Sequence, residues 1–216
     1  MSVVLINPNS TVAMTRTMLA AARAAAPGQT IEGWTSHGAP PAIQGPEDGA
    51  AAEGPLLDLV RKAVDQDADA IIIGCFDDTA LMAAQRLAPC PVIGIGQAAF
   101  HACAMRGWRF GVVTTLPVSV PIIEGNIAAY GLSGACARVR ASDVPVLDLE
   151  HYPERAAATI TAEAQIAVRE DGIDAIVLGC AGMTRITETL RSTLPVRIVD
   201  PIEAAITCIP WLVGQG

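Results

Sequence analysis

Short apolar runs alternate along this chain with longer stretches in which apolar residues return every three or four positions. The runs at 2–7 (SVVLIN), 30–34, 69–74, 91–95, 109–114 (RFGVVT), 137–140, 173–178 and 196–199 predict eight strands. The stretches between them predict helices over 11–26, 48–66, 79–88, 97–106, 117–130, 153–170, 184–193 and 201–213. In the first helix Met14, Met18 and Leu19 share a face, Ser10 and Thr11 are candidate caps, and Pro27-Gly28 ends it. Strands that read as continuous apolar runs are buried on both faces. The pattern therefore predicts an α/β fold with mainly parallel sheets flanked by helices.

One segment occurs twice. DAIIIGCFDDT (69–79) returns as DAIVLGCAGMT (174–184), with Asp, Ala, Ile, Gly, Cys and Thr in the same places. The segments that follow, PVIGIGQAAF (91–100) and PVRIVDPIEAAI (195–206), also correspond. This predicts a duplication: two similar four-stranded lobes related by a pseudo-twofold axis, with a boundary near residue 97.

Composition narrows the function. Apolar residues make up 51% of the 216 positions and charged residues 17%, which suits sheets covered on both faces. The net charge of −8, with no basic cluster, argues against nucleic acid or an anionic membrane as partner. No apolar run reaches membrane-spanning length and no charged-then-apolar leader opens the chain, so a cytoplasmic location is expected. The six cysteines (75, 90, 103, 136, 180, 208) contain no CxxC pair, and His37, His101 and His151 lack ligand spacing. Neither a disulfide framework nor a metal site is expected.

Three stretches are candidates for chemistry. GIGQAA (94–99) fits G-x-G-x-x-A, but it follows the fourth strand and lacks the acid expected about 20 residues later, so a dinucleotide site is not expected. INPNST (6–11) and Thr114-Thr115 end the first and fifth strands, where ligands of parallel sheets sit, and offer helix caps or neutral hydrogen-bond donors. The third is the duplicated Gly-Cys. A lone cysteine there would read as packing; two in register ask for a shared role. Each stands before a predicted helix, whose amides would lower the thiol pKa. Asp77 and Asp78 would oppose this if close, and are expected to turn outward and cap amides. Two lobes facing across a pseudo-twofold would put Cys75 and Cys180 on opposite sides of one cleft. Racemisation needs that arrangement: one group takes a proton from a stereogenic carbon and its counterpart delivers one to the other face.

With these blocks in hand, the chain resembles the hydantoin racemases of the aspartate/glutamate/hydantoin racemase superfamily. The resemblance rests on INPNST, GCFDDT, the VIGI-x-x-AA block, VVTTLPVSVPIIE (112–124), RVRASDVPVLDLE (138–150), VLGCAGM (177–183) and DPIEAA (200–205), in family order over nearly the whole chain. It implies a racemase of 5-monosubstituted hydantoins that uses Cys75 and Cys180 as its two acid/base groups and no cofactor. It implies substrate contacts from Asn9 to the ring, Ile43 to the side chain, and the amides around Phe76, Asp77, Ala181 and Gly182, with Thr115, to the enolate oxygen. It further implies a homo-oligomer, and a last helix crossing back to the first lobe, giving lobes 1–97 plus 204–216 and 98–203. The chain departs from the family pattern at Gln97 and Pro46, which leaves the 5-substituent open. The rival expectations are an allantoin racemase, an amino-acid racemase, a related isomerase or decarboxylase, and a non-catalytic binder of small molecules.

Overall fold

Eight strands form two separate four-stranded sheets in the computed structural model, which describes residues 1–215. The first half of the chain contributes β1 (Ser2–Asn7), α1 (Val12–Ala25), β2 (Thr30–Thr35), α2 (Pro46–Asp65), β3 (Ala70–Ile73), α3 (Leu81–Leu87), β4 (Val92–Gly94) and α4 (Ile95–Met105). The second half contributes β5 (Phe110–Thr114), α5 (Val120–Ala129), β6 (Cys136–Ala141), α6 (Asp148–His151), α7 (Pro153–Glu170), β7 (Ala175–Gly179), α8 (Thr187–Thr193), β8 (Arg197–Val199) and α9 (Pro201–Val213).

The sheets run β2-β1-β3-β4 and β6-β5-β7-β8, and every pairing is parallel. The identical orders bear out two similar lobes. They also dictate where a ligand fits. From β1 the chain goes to one side for β2 and to the other for β3, and it repeats the move around β5. The loops leaving β1 and β3 therefore splay apart at a topological switch point, as do those leaving β5 and β7.

The apolar faces explain the helices. On α1, Met14, Met18 and Ala22 are buried; on α7, Ala156, Ile160, Ala164 and Ala167 repeat at helical spacing. One core runs between the lobes: Leu5 and Ile72 of the first sheet, Phe110 and Val112 of the second, and Ile202 and Ile206 of α9 belong to one buried cluster. Inside it Phe100 stacks on Phe110 with ring centroids 5.6 Å apart and meets Phe76 edge-on at 5.3 Å. Smaller clusters fill the outer side of each sheet.

The structure departs from the expected elements in four places, and in one of them the helix expected over 117–130 opens as a 3-10 turn, Pro117–Ser119, before α5. The helix expected over 184–193 is a 3-10 turn, Ala181–Ile186, followed by α8. The four-residue α6 was not foreseen. The helix expected from 79 begins at Leu81, after a turn in which Asp78 and Ala80 take positive φ of 49° and 54°. Helix α9, in which the expected grouping with the first lobe begins at residue 204, packs on α1 and α4. Gly216, the end of that grouping, lies outside the described residues. No described helix is long and apolar enough to cross a membrane.

Candidate active site

The two switch points face each other across a cavity of about 450 Å³, counting its mouth. Cys75 follows β3 and Cys180 follows β7, and both line this cavity. Each is preceded by a glycine with no room for a side chain. A Cβ on Gly74 would lie 2.7 Å from the Met18 sulfur, and one on Gly179 would lie 2.7 Å from Thr114 Cα. The duplicated Gly-Cys thus combines close packing behind the sheet end with a thiol in front of it.

Of the other residues singled out in the sequence, Asn9, Ile43, Phe76, Asp77, Thr115, Ala181 and Gly182 also line the cavity. Asn9 is 8% exposed. Its Oδ1 accepts from Asn7 Nδ2 and from the Thr11 amide, both at 2.9 Å, whereas its own Nδ2 meets only the weakly accepting Met14 sulfur, 3.4 Å away. The asparagine is locked in place with its amide hydrogens turned to the cavity wall. Thr114 is not among the lining residues. Its hydroxyl donates to the Gly179 carbonyl at 2.8 Å, joining β5 to the strand that ends in Cys180.

Met14, Met18, Ser119 and Val146 are not among the candidate site residues of the sequence, yet all four line the cavity. The methionines were legible only as an apolar helix face. Ser119 ends a 3-10 turn, Pro117–Ser119, that leads into α5, and Val146 lies in the connection after β6; the second sheet's topology brings both to the cavity.

The aspartates do not turn outward. Asp78 is 6% exposed and caps the first turn of α4, accepting from the Gly96 and Gln97 amides at 3.0 and 2.7 Å and from the Tyr130 hydroxyl at 2.8 Å. This explains the GIGQAA glycines without a nucleotide: a Cβ on Gly96 would stand 2.5 Å from the Phe76 carbonyl and 2.9 Å from the Asp78 carboxylate. Asp77 faces the cavity, its carboxylate 3.3 Å from the Ser119 hydroxyl and its carbonyl 2.8 Å from Asn126 Nδ2. Ser119, Asn126 and Tyr130 all follow β5, so the Cys75 loop is clamped by the second half of the chain.

The thiols are not acidified as the helix argument expected. Cys75 does not stand at a helix start, because α3 begins only at Leu81. Burial pushes its thiol far above the ordinary range, the Asp77 charge and a Cys180 thiolate add to this, and the Thr79 hydroxyl, 3.4 Å from the sulfur, offsets part of it. Burial likewise pushes Cys180 up to about 12, against the Gly182 and Met183 amides. Burial also raises Asp77, to about 6. Because each ionised group discourages the next, a thiolate at both positions at once is disfavoured.

One consequence is measurable. Asp77→Asn removes a charge that raises both thiols, so site-resolved iodoacetamide labelling of Cys75 and Cys180 at pH 8 is expected to become severalfold faster. The difference should fade below about pH 6, where Asp77 is itself protonated. Equal rates at pH 8 would show that the carboxylate does not act on the sulfurs.

No Lys, Arg or His lines the cavity. Arg185, which follows the second Gly-Cys segment, is exposed and donates to Glu150 Oε2 at 2.8 Å and to Thr17 Oγ1 at 2.6 Å. Among the described residues, no group of three or more His, Cys, Asp or Glu is arranged to hold a metal ion.

Comparisons with known proteins agree with this architecture. The family model described as Asp/Glu/Hydantoin racemase matches residues 3–209. A hydantoin racemase from Rhizobium meliloti is 42% identical over 217 aligned positions, which cover 100% of this chain and 90% of that protein. The solved structure of an allantoin racemase from Klebsiella pneumoniae superposes with a TM-score of 0.95 at 38% identity, covering 100% of this chain and 88% of that one. One from Pseudomonas fluorescens does so with a TM-score of 0.94 at 36% identity, covering 100% and 92%.

Proposed function

The chain belongs to the Asp/Glu/hydantoin racemase family, and from that membership we propose that it racemises 5-monosubstituted hydantoins without a cofactor, by proton transfer between C5 and the thiols of Cys75 and Cys180. The observation that carries the reading is the pair of thiols at equivalent strand ends of two matching sheets, lining one cavity. The thiolate of one takes the C5 proton, and the thiol of the other delivers a proton to the opposite face. The negative charge passes from C5 to the C4 carbonyl oxygen. Backbone amides around Phe76, Asp77, Ala181 and Gly182, together with the Thr115 hydroxyl, are the donors we assign to that oxygen. Fixed donors aimed at developing charge are worth about 3–4 kcal/mol each in comparable sites.

The charge of the cavity favours a neutral ring over an amino acid. A free α-carboxylate would enter beside Asp77 and find no lining cation. Allantoin, a hydantoin bearing a ureido group, is the specific substrate favoured by the likeness to two allantoin racemases.

The test is polarimetry in D2O with each enantiomer of 5-isopropylhydantoin and of allantoin, with aspartate and glutamate as comparisons. Optical rotation of at least one hydantoin should decay from both sides to zero, with one deuteron entering C5 per inversion. Decay without deuterium would refute proton transfer, and inversion of aspartate or glutamate alone would refute the substrate class.

A further inference from the structure

The Asp77 side chain is a cavity group that the two-thiol chemistry leaves without a task. Its only hydrogen bond to a side chain is the long one from Ser119, 3.3 Å on one oxygen. It takes part in no ion pair among the described residues. A carboxylate drawn out of water and only partly satisfied gains from any donor that a ligand brings. The rest of the lining sorts by polarity. Met14, Met18, Ile43 and Val146 form apolar surface suited to a hydrocarbon substituent, whereas Asp77 stands with Ser119. A hydantoin has the same two-sided character: an alkyl group on C5, and two ring N–H groups that only an acceptor can use.

We propose that the Asp77 carboxylate accepts a hydrogen bond from a ring N–H of the substrate, so that Asp77 is a specificity-determining residue for cyclic ureides. This rests on the hydantoin reading above and adds a residue to it. The Asn126 bond to the Asp77 carbonyl, at 2.8 Å, fixes the backbone from which the carboxylate projects, so the acceptor is in place before the ligand arrives.

The experiment pairs enzyme variants with methylated substrates. kcat/KM is measured for 5-isopropylhydantoin and for its N1-methyl and N3-methyl derivatives, with wild type, Asp77→Gly and Asp77→Asn, each checked for an unchanged thermal midpoint. Methylating the nitrogen that faces Asp77 should cost wild type about ten- to a hundredfold, the worth of a hydrogen bond to a charged group. The same methyl should cost Asp77→Gly less than about threefold, because the acceptor is already gone. Asp77→Asn, which keeps one accepting oxygen, should fall between them and serves as the readout if the glycine variant does not fold. The comparison within each enzyme cancels any change in thiol acidity. Equal losses in wild type and variants for both methyl derivatives would overturn the proposal, as would a glycine variant with wild-type kcat/KM on the parent. The methyl series is made on whichever of 5-isopropylhydantoin and allantoin wild type racemises; if it racemises neither, the hydantoin reading fails instead, and the two failures are thereby distinguished.

Discussion

Alanine at position 75 or at position 180 is expected to abolish measurable inversion, a loss of about 10²- to 10⁴-fold for one acid/base group. The direct hydrogen-bond neighbours, the Thr79 hydroxyl at Cys75 and backbone amides at Cys180, do not exchange protons readily near neutral pH. The informative result is what survives. With one thiol left, the enantiomer whose C5 proton faces it can still lose that proton and regain one on the same face. In D2O, Cys75→Ala should therefore wash deuterium into one enantiomer with retention, and Cys180→Ala into the other. Chiral chromatography with mass detection reads both quantities at once. Normal racemisation by either variant would refute the two-thiol mechanism. Exchange of the same enantiomer by both variants would place the sulfurs on one face of the substrate.

Why the thiols could be found from sequence, and their surroundings could not, follows from what each depends on. The strand ends are set by local pattern. Continuous apolar runs put Ala70–Ile73 and Ala175–Gly179 in sheet interiors, and the repeat placed a cysteine after each. Two helices were legible to their observed bounds, Pro153–Glu170 and Pro201–Val213, because proline marks both starts. The thiol acidity was misjudged because it depends on burial and on Asp77, both of which arise only when the lobes close over the cavity. The fate of Asp78 was hidden for the same reason. A DD pair in a loop reads as an outward-turned cap for amides; Asp78 does cap amides, but nothing nearby in sequence shows that they belong to α4 or that the chain after α5 adds a tyrosine hydroxyl. Ser119 and Val146 lie within family-like blocks, but it is topology that decides that these members of the blocks face the cavity.

Asp78 is expected to carry a large stability effect for a single polar side chain. The second lobe caps the equivalent helix, α9, from the adjacent Asp200, whose Oδ1 accepts the Ile202 amide at 2.8 Å. The first lobe instead reaches back from the Cys75 loop, and pulls the Tyr130 hydroxyl into the same carboxylate. Asp78→Ala would leave two helix-start amides and that hydroxyl without their acceptor in a closed interior. At about 1–3 kcal/mol per orphaned group, partly relieved by entering water, the loss should be about 3–5 kcal/mol. For a chain of this size that corresponds to a thermal midpoint lower by about 10 °C. Asp78→Asn keeps one accepting oxygen and should lose less, and its pH dependence exposes the buried charge. Burial raises the Asp78 carboxyl to about 7 despite its three hydrogen bonds, well above the unfolded value near 4. A group raised in this way contributes stability that is fully present below the unfolded pKa and is lost as pH rises through the folded one. The advantage of wild type over Asp78→Asn should therefore be greatest at about pH 4, decline between about pH 4 and 7 and be smallest by pH 8, as followed by thermal melts of both proteins across that range. An advantage that grows with pH would mean that the carboxylate is stabilised as an anion by its three donors more than burial penalises it. Because the same carboxylate clamps the loop that carries Cys75, kcat of the alanine variant, measured well below its midpoint, should fall as well. If it does not, the clamp holds the helix and not the thiol.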